Sequence, residues 1–238
     1  MLADKLTNIQ RGQLSNVVQK PGTFINQVIN FIYEQLPCWR DRKDRPNATA
    51  ETELTSQLCA HLNSVSRMSN GWDILQFRTE ERDAKNASRK IDLVAAPSAT
   101  VINVDGRSYS DFDYLLPIEC KRLPTPSSSN RDEREYIYSC KSSTGGIDRF
   151  KRGFHGAGYQ QGMMIGFAQS HNCFHWFSTI NDWFKNLVSD SPFHWQLTDM
   201  LALFTYNSNS RTSISTSTHI RDDDMTKIKI THAWVQMI

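Results

Sequence analysis

The chain has 238 residues, 39% hydrophobic and 22% charged, enough for one domain with a sizeable core or two small ones in an ordinary soluble globular protein. Its net charge of +2 is too small to announce a nucleic-acid binder, so any such activity has to come from a local basic surface. Five cysteines, Cys38, Cys59, Cys120, Cys140 and Cys173, form no CxxC pair and are odd in number, which argues against a disulfide framework or a zinc ribbon and fits a reducing compartment.

The N-terminal stretch MLADKLTNIQRGQLSN lacks the apolar core of a signal peptide. No apolar run reaches the roughly 18 residues that a membrane span needs. The expectation is a cytoplasmic protein with no membrane partner. Phe24, Val28, Phe31, Ile32 and Leu36 recur at helical spacing, and Pro37 is expected to end that helix. A basic loop with Arg40, Arg42, Lys43 and Arg45 follows. A second helix is expected to start near Asn47 or Thr49, with Leu54, Leu58, Leu62 and Val65 as its apolar stripe and Glu51 and Glu53 in its first turns.

From residue 71 the pattern changes to strands: WDILQF, then RKIDLVAA, then TVINVDGRSYS as a hairpin around Asp105-Gly106, then DYLLPIECKRL. PTPSSSN reads as a loop and RDEREYIYSCK as a charged helical stretch. GGIDRFKRGFHGAGYQQ is basic and punctuated by glycine, GMMIGFAQ is a buried strand, and CFHWFSTINDWFKNL is an aromatic-rich helix. LALFTY, TSISTSTHIR and TKIKITHAWVQMI are strand-like, the last two alternating as a hairpin would. No repeat and no boundary stands out, so one domain over 1–238 is expected: a helical extension at 1–46, a core at 47–170, and a C-terminal helix with strands at 171–238.

The chemistry concentrates in LPIECKRL. Alternation sends Leu116, Ile118 and Cys120 to one face, and Glu119 and Lys121 to the other with Leu115 and Pro117. A buried acid and a buried lysine each cost several kcal/mol unless they find a partner. Asp92 opens the neighbouring apolar strand beside Arg89 and Lys90. Two carboxylates on adjacent strands with a lysine beside them make a hard oxygen set suited to Mg²⁺, which can activate a water and neutralise charge on a phosphodiester.

On Asp92 and the triplet Glu119-Cys120-Lys121, set in helix and strand order, the chain resembles the PD-(D/E)xK nuclease superfamily over about residues 47 to 170. Ile91 stands where the family name has proline, and the long stretch between Asp92 and Glu119 has to be accommodated as an inserted hairpin. The resemblance implies an α/β fold, a restriction-endonuclease-like mixed sheet flanked by helices, with an added C-terminal β-hairpin. It implies a Mg²⁺- or Mn²⁺-dependent endonuclease with Asp92 and Glu119 as metal ligands and Lys121 positioning the water. Glu53 is the expected helix carboxylate assisting the metal, with Glu51 behind it. Arg149, Lys151 and Arg152 are expected to hold substrate phosphates, with Gln161 facing the site across a following helix. His155 clusters with those basic residues.

DNA is the default substrate that the resemblance implies, in restriction or anti-phage defence. An RNase cutting tRNA as a toxin-like effector is the alternative, as is a catalytically silent nucleic-acid-binding module. A protein trigger and a homodimer stay open. His171 and His175 lack a third ligand nearby and read as surface or core histidines. Asp222, Asp223 and Asp224 read as a turn.

Overall fold

The computed structural model describes residues 22–83, 89–128, 130–141, 145–191, 194–222 and 224–238. Helix α1 spans Thr23–Arg40 and α2 spans Glu51–Met68. Strands β1 (Leu75–Arg82) and β2 (Lys90–Pro97) follow, then β3 (Ile102–Val104) and β4 (Arg107–Tyr109), then β5 (Leu116–Leu123). A short helix α3 (Gly146–Lys151), strand β6 (Gln161–Ala168), helix α4 (Cys173–Asp190), and strands β7 (Ala202–Asn207), β8 (Thr212–Ile220) and β9 (Lys227–Gln236) complete the order.

Seven strands form one mixed sheet in the order β1-β2-β5-β6-β9-β8-β7, while β3 and β4 make a separate ribbon. β5, β6 and β9 run parallel to one another, and the remaining pairs are antiparallel. The pleat sorts side chains between two cores. Ile118, Met163, Ile165, Phe167, Ala233 and Val235 pack beneath α1, α2 and the β3–β4 ribbon. Leu123, Met164, Ile230 and Trp234 pack beneath α3 and α4. The protein is thus mixed α/β, with a sheet covered on both faces. That explains why PIECK on β5 is buried throughout.

Four expectations change. α1 continues through Pro37 to Arg40, because Trp39 packs on Phe167 at 5.6 Å and Arg40 donates to the carbonyls of Ser210 and Gln236. Those contacts hold one more turn beyond a proline that removes only its own N–H. RDEREYIYSCK forms turns rather than a helix, with Asp132 accepting from the Arg134 and Cys140 N–H groups. α2 starts at Glu51 behind Ala50, with no side-chain cap from Asn47 or Thr49. The C-terminal hairpin is no appendage. β9 lies between β6 and β8 inside the sheet, where pairing with β6 buries both of its faces. The hairpin at Asp105-Gly106 forms as expected, both residues taking the positive φ that a two-residue turn needs. Asp222 and Asp224 lie in the β8–β9 connection, and Asp223 falls outside the described residues.

A chain of buried polar groups runs through the second core. Trp234 Nε1–H donates to Tyr136 Oη, which lies 2.9 Å from His232 Nδ1. His232 Nε2 meets Ser217 Oγ, which also meets His219 Nε2, and His219 Nδ1 meets Asp199. Lys151 Nζ closes the chain on Asp199 at 3.1 Å. Carboxylate can only accept, so His219 donates from Nδ1. With both imidazoles held neutral by burial, His219 Nε2 accepts from Ser217, Ser217 accepts from His232 Nε2, and His232 Nδ1 accepts from Tyr136. Ser217, His219 and Asp199 have the donor order of a hydrolase triad, but all three are buried and Ser217 has two histidine neighbours, so the group is structural.

Burial pushes the His232 imidazole well below the ordinary histidine value of 6.5, and burial lowers His219 against the pull of Asp199. Unfolding therefore takes up protons at these sites. Their stabilising contribution is complete above pH 6.5 and is lost as pH falls below it. Urea unfolding between pH 6.5 and 5 should show His232 lowering stability by up to roughly 1.4 kcal/mol per pH unit, with His219 adding to the loss. A profile flat across that window would contradict the neutral chain. Tyr136→Phe strands the Trp234 N–H and the His232 Nδ1 acceptor and should cost roughly 2–4 kcal/mol at pH 7.5.

Candidate active site at the fork between two strands

β2 and β5 stay together only briefly. Leu93, Val94 and Ala95 pair with Ile118, Pro117 and Leu116, and the strands then part while β2 stays paired with β1 down to Lys90. Past the fork, N–H groups of β5 need other acceptors. Asp92 Oδ2 accepts from the Cys120 N–H at 2.9 Å, and Glu51 Oε2 from the Arg122 N–H at 3.0 Å. Two carboxylates from different elements thus replace the missing strand.

Lys121 stands at their centre. Its Nζ lies 2.9 Å from Glu119 Oε1, 3.2 Å from Glu51 Oε1 and 3.7 Å from Asp92 Oδ2. From α3, Arg149 reaches Glu119 Oε1 at 2.7 Å, and His155 Nδ1 lies 3.1 Å from Glu119 Oε2. Glu119 is 0% exposed. Burial works against its charge, but Lys121, His155 and Arg149 outweigh burial and hold the carboxyl well below the usual range. Burial likewise opposes the Lys121 charge, and Glu119, Asp92 and Glu51 override it and raise that ammonium far above its ordinary value. Asp92 goes the other way. Burial and the repulsion of Glu119 push it up to about 6, against the pull of Lys121 and the Cys120 N–H.

The residues expected from the sequence are divided by this geometry. Asp92, Glu119, Lys121 and Arg149 come together. Glu53 does not, since it is exposed on α2 and Glu51 takes its place. Two residues along a helix are about 200° apart, so both cannot face the fork. The pattern held a signal for this: Glu51 shares its stripe with Leu54, Leu58 and Leu62, the buried face of α2, while Glu53 does not. His155, grouped with the basic segment in the sequence, proves to be a buried neighbour of Glu119. Lys151 is no phosphate contact, being buried against Asp199 and the Ile220 carbonyl. Arg152 pairs with Asp148 at 2.8 Å. Gln161 begins a strand rather than following a helix. It shares its face with Met163 beneath α1, opposite the face that carries Glu119.

Among the described residues, no three Asp, Glu, His or Cys side chains converge to ligate one ion. The triple Asp92, Glu119 and Glu53 is therefore not assembled as ligands, because Glu53 faces solvent and Glu119 is enclosed by Lys121, Arg149 and His155. Asp92 and Glu51 instead line a cavity of about 220 Å³ with Glu80, Thr52, Thr55, Ser56 and Thr79. Mg²⁺ keeps several waters and commonly takes one or two carboxylates. The donor set fits a hydrated hard cation held from the cavity side by Asp92 and Glu51.

A carboxyl raised to about 6 is strained when ionised, so Asp92 weakens the fold above pH 6 and the strain disappears as pH falls toward the ordinary value of 3.8. Asp92→Asn keeps the acceptor for Cys120 and removes the charge. Its melting temperature should exceed that of the wild type by more at pH 7.5 than at pH 4.5, and Mg²⁺ should raise the melting temperature of the wild type only. Equal shifts at both pH values would contradict the strained carboxylate, and equal Mg²⁺ shifts in the two proteins would contradict the cation site. No protein-family model, curated protein or solved structure matches this chain.

Proposed function

We propose that the protein is a metal-dependent nuclease that hydrolyses phosphodiester bonds, with DNA as its default substrate. One observation carries the reading: Asp92, Glu51 and Glu119 surround the Lys121 ammonium at a fork between two strands, beside a cavity. It gathers the residues on which the resemblance to PD-(D/E)xK nucleases rests, but with Glu51 in place of Glu53 and with Glu119 turned to Lys121 where the resemblance implied a metal ligand. A restriction-endonuclease-like core is part of the same proposal.

A divalent ion on Asp92 and Glu51 would supply a polarised phosphoryl oxygen and a more acidic bound water. The chain supplies the rest. Lys121 carries three N–H donors and is kept charged by its carboxylates; its Asp92 contact, at 3.7 Å, is longer than a hydrogen bond, so that donor can turn to a phosphoryl oxygen and stabilise charge as it develops. Glu119 serves Lys121: held ionised, it fixes the ammonium at one place and prevents it from giving up its proton. Arg149 clamps Glu119 from the second face, which makes it a positioning residue for the cluster rather than the primary phosphate contact. The Cys120 and Arg122 N–H groups orient Asp92 and Glu51. A second reading, a silent binding module, is favoured by one observation, the presence of three protein carboxylates around Lys121.

Cleavage of duplex DNA, single-stranded DNA and total tRNA with Mg²⁺, Mn²⁺ or EDTA decides between them. The proposal expects metal-dependent cutting, reduced about 100-fold or more in Asp92→Asn and Lys121→Gln. Both variants are chosen to keep a hydrogen-bonding group where the charge was, and their circular dichroism should match the wild type. Cutting by folded Lys121→Gln at the wild-type rate would overturn the site, and binding without cutting in any metal would favour the silent module.

A further inference from the structure

We infer that the groove leading away from the fork is a subsite for single-stranded nucleic acid. It deepens the nuclease reading by naming the substrate form, and rests on that reading for its purpose. The groove begins just after the end of β5, at Thr125 and Pro126, and encloses about 810 Å³. Arg131, Arg134, Lys141 and Trp183 contribute its cations and its aromatic ring. β5 leads from Lys121 at the fork to Leu123, two residues before Thr125, so the groove opens where the fork's own strand ends, and Arg131 interacts with the Glu51 charge.

The two arginines are held in place before any ligand arrives. Glu135 takes Nε and Nη2 of Arg131, and Asp132 takes Nε and Nη2 of Arg134. A guanidinium gripped along one edge keeps its remaining donors in a fixed direction, which lowers the ordering cost of meeting a phosphate. The same carboxylates, with Glu133 in the lining, offset the three cations and leave the groove without net charge. That disfavours long duplex, whose binding depends on neutralising many phosphates. A partly exposed indole suits a base that is already unstacked, because every base offers a face to an aromatic ring. Ser127, Ser128 and Asn186 add hydroxyl and amide groups along the wall. Few cations, one ring and short polar side chains match a strand with exposed bases better than a paired helix.

The test is binding by the full chain in EDTA, where no metal-dependent cutting competes. The probes are fluorescein-labelled oligothymidylate, oligouridylate and a mixed-sequence duplex. The expected result is that at least one single strand binds more tightly than duplex, and that Trp183→Ala weakens it about tenfold or more while Trp183→Phe retains most of it. Which of the two strands binds separates DNA from RNA, and binding of either supports the subsite. Trp183→Ala is compared only if its thermal unfolding remains cooperative; if it does not, Lys141→Ala takes over and should lower the salt slope of strand binding by about 0.7. Duplex bound as tightly as the strands, no binding at all, or strand binding indifferent to both variants would overturn the subsite. Because binding is read without metal, loss of the subsite leaves the cleavage result untouched. Strand binding through Trp183 without cleavage would remove the nuclease reading and leave the subsite standing.

Discussion

The fully buried carboxylate of Glu119 is the constraint around which the rest of the molecule is arranged. An isolated charge at that depth would cost far more than a domain's net stability, so it exists only because Lys121, Arg149 and His155 surround it. Lys121 in turn needs more than one carboxylate, and Glu51 and Asp92 are brought to it from α2 and β2. Four elements thus have to be in register before any of these charges is tolerable. Losing Glu119 would leave Lys121, Arg149 and His155 without their shared carboxylate, which makes that residue a demanding specification of the fold as well as part of a place for chemistry.

The parting of β2 from β5 is what makes this possible. A continuous ladder would have satisfied the Cys120 and Arg122 N–H groups with carbonyls and left no space between the strands. Once the strands part, those donors call for acceptors, and side-chain carboxylates can answer while keeping a second oxygen for other use. The same fork opens the cavity beside Asp92. Backbone satisfaction and a charged pocket follow from one geometric event.

The short helix α3 joins the fork to the buried chain in the second core. Arg149 on α3 meets Glu119, while Lys151, two residues on, meets Asp199 at the end of the line that runs through His219, Ser217 and His232 to Trp234. Three residues of the GIDRFKR segment that looked alike as basic surface are therefore quite different. One steadies the site, one is sealed in a polar core, and Arg152 pairs with Asp148 at the surface. Charge composition says nothing about such a division, because a helix turns about 100° per residue and Glu119 and Asp199 are met by different side chains of it.

Much of the layout was legible in the amino-acid order. Period-two alternation in LPIECKRL and the apolar run of IDLVAA marked strands, the Asp105-Gly106 turn marked a hairpin, and charges inside an apolar strand marked Glu119 and Lys121 as needing partners. The spacing of Leu54, Leu58 and Leu62 even contained the choice of Glu51 over Glu53. The tertiary structure alone decided the remainder. Packing of Trp39 carried α1 past Pro37, parallel pairing with β6 drew β9 into the middle of the sheet, and the parting of two strands brought Asp92 and Glu51 to a lysine 29 and 70 residues away. Local pattern governs which side of an element a residue occupies. Which elements become neighbours depends on long-range contacts whose sequence separation leaves no periodic trace.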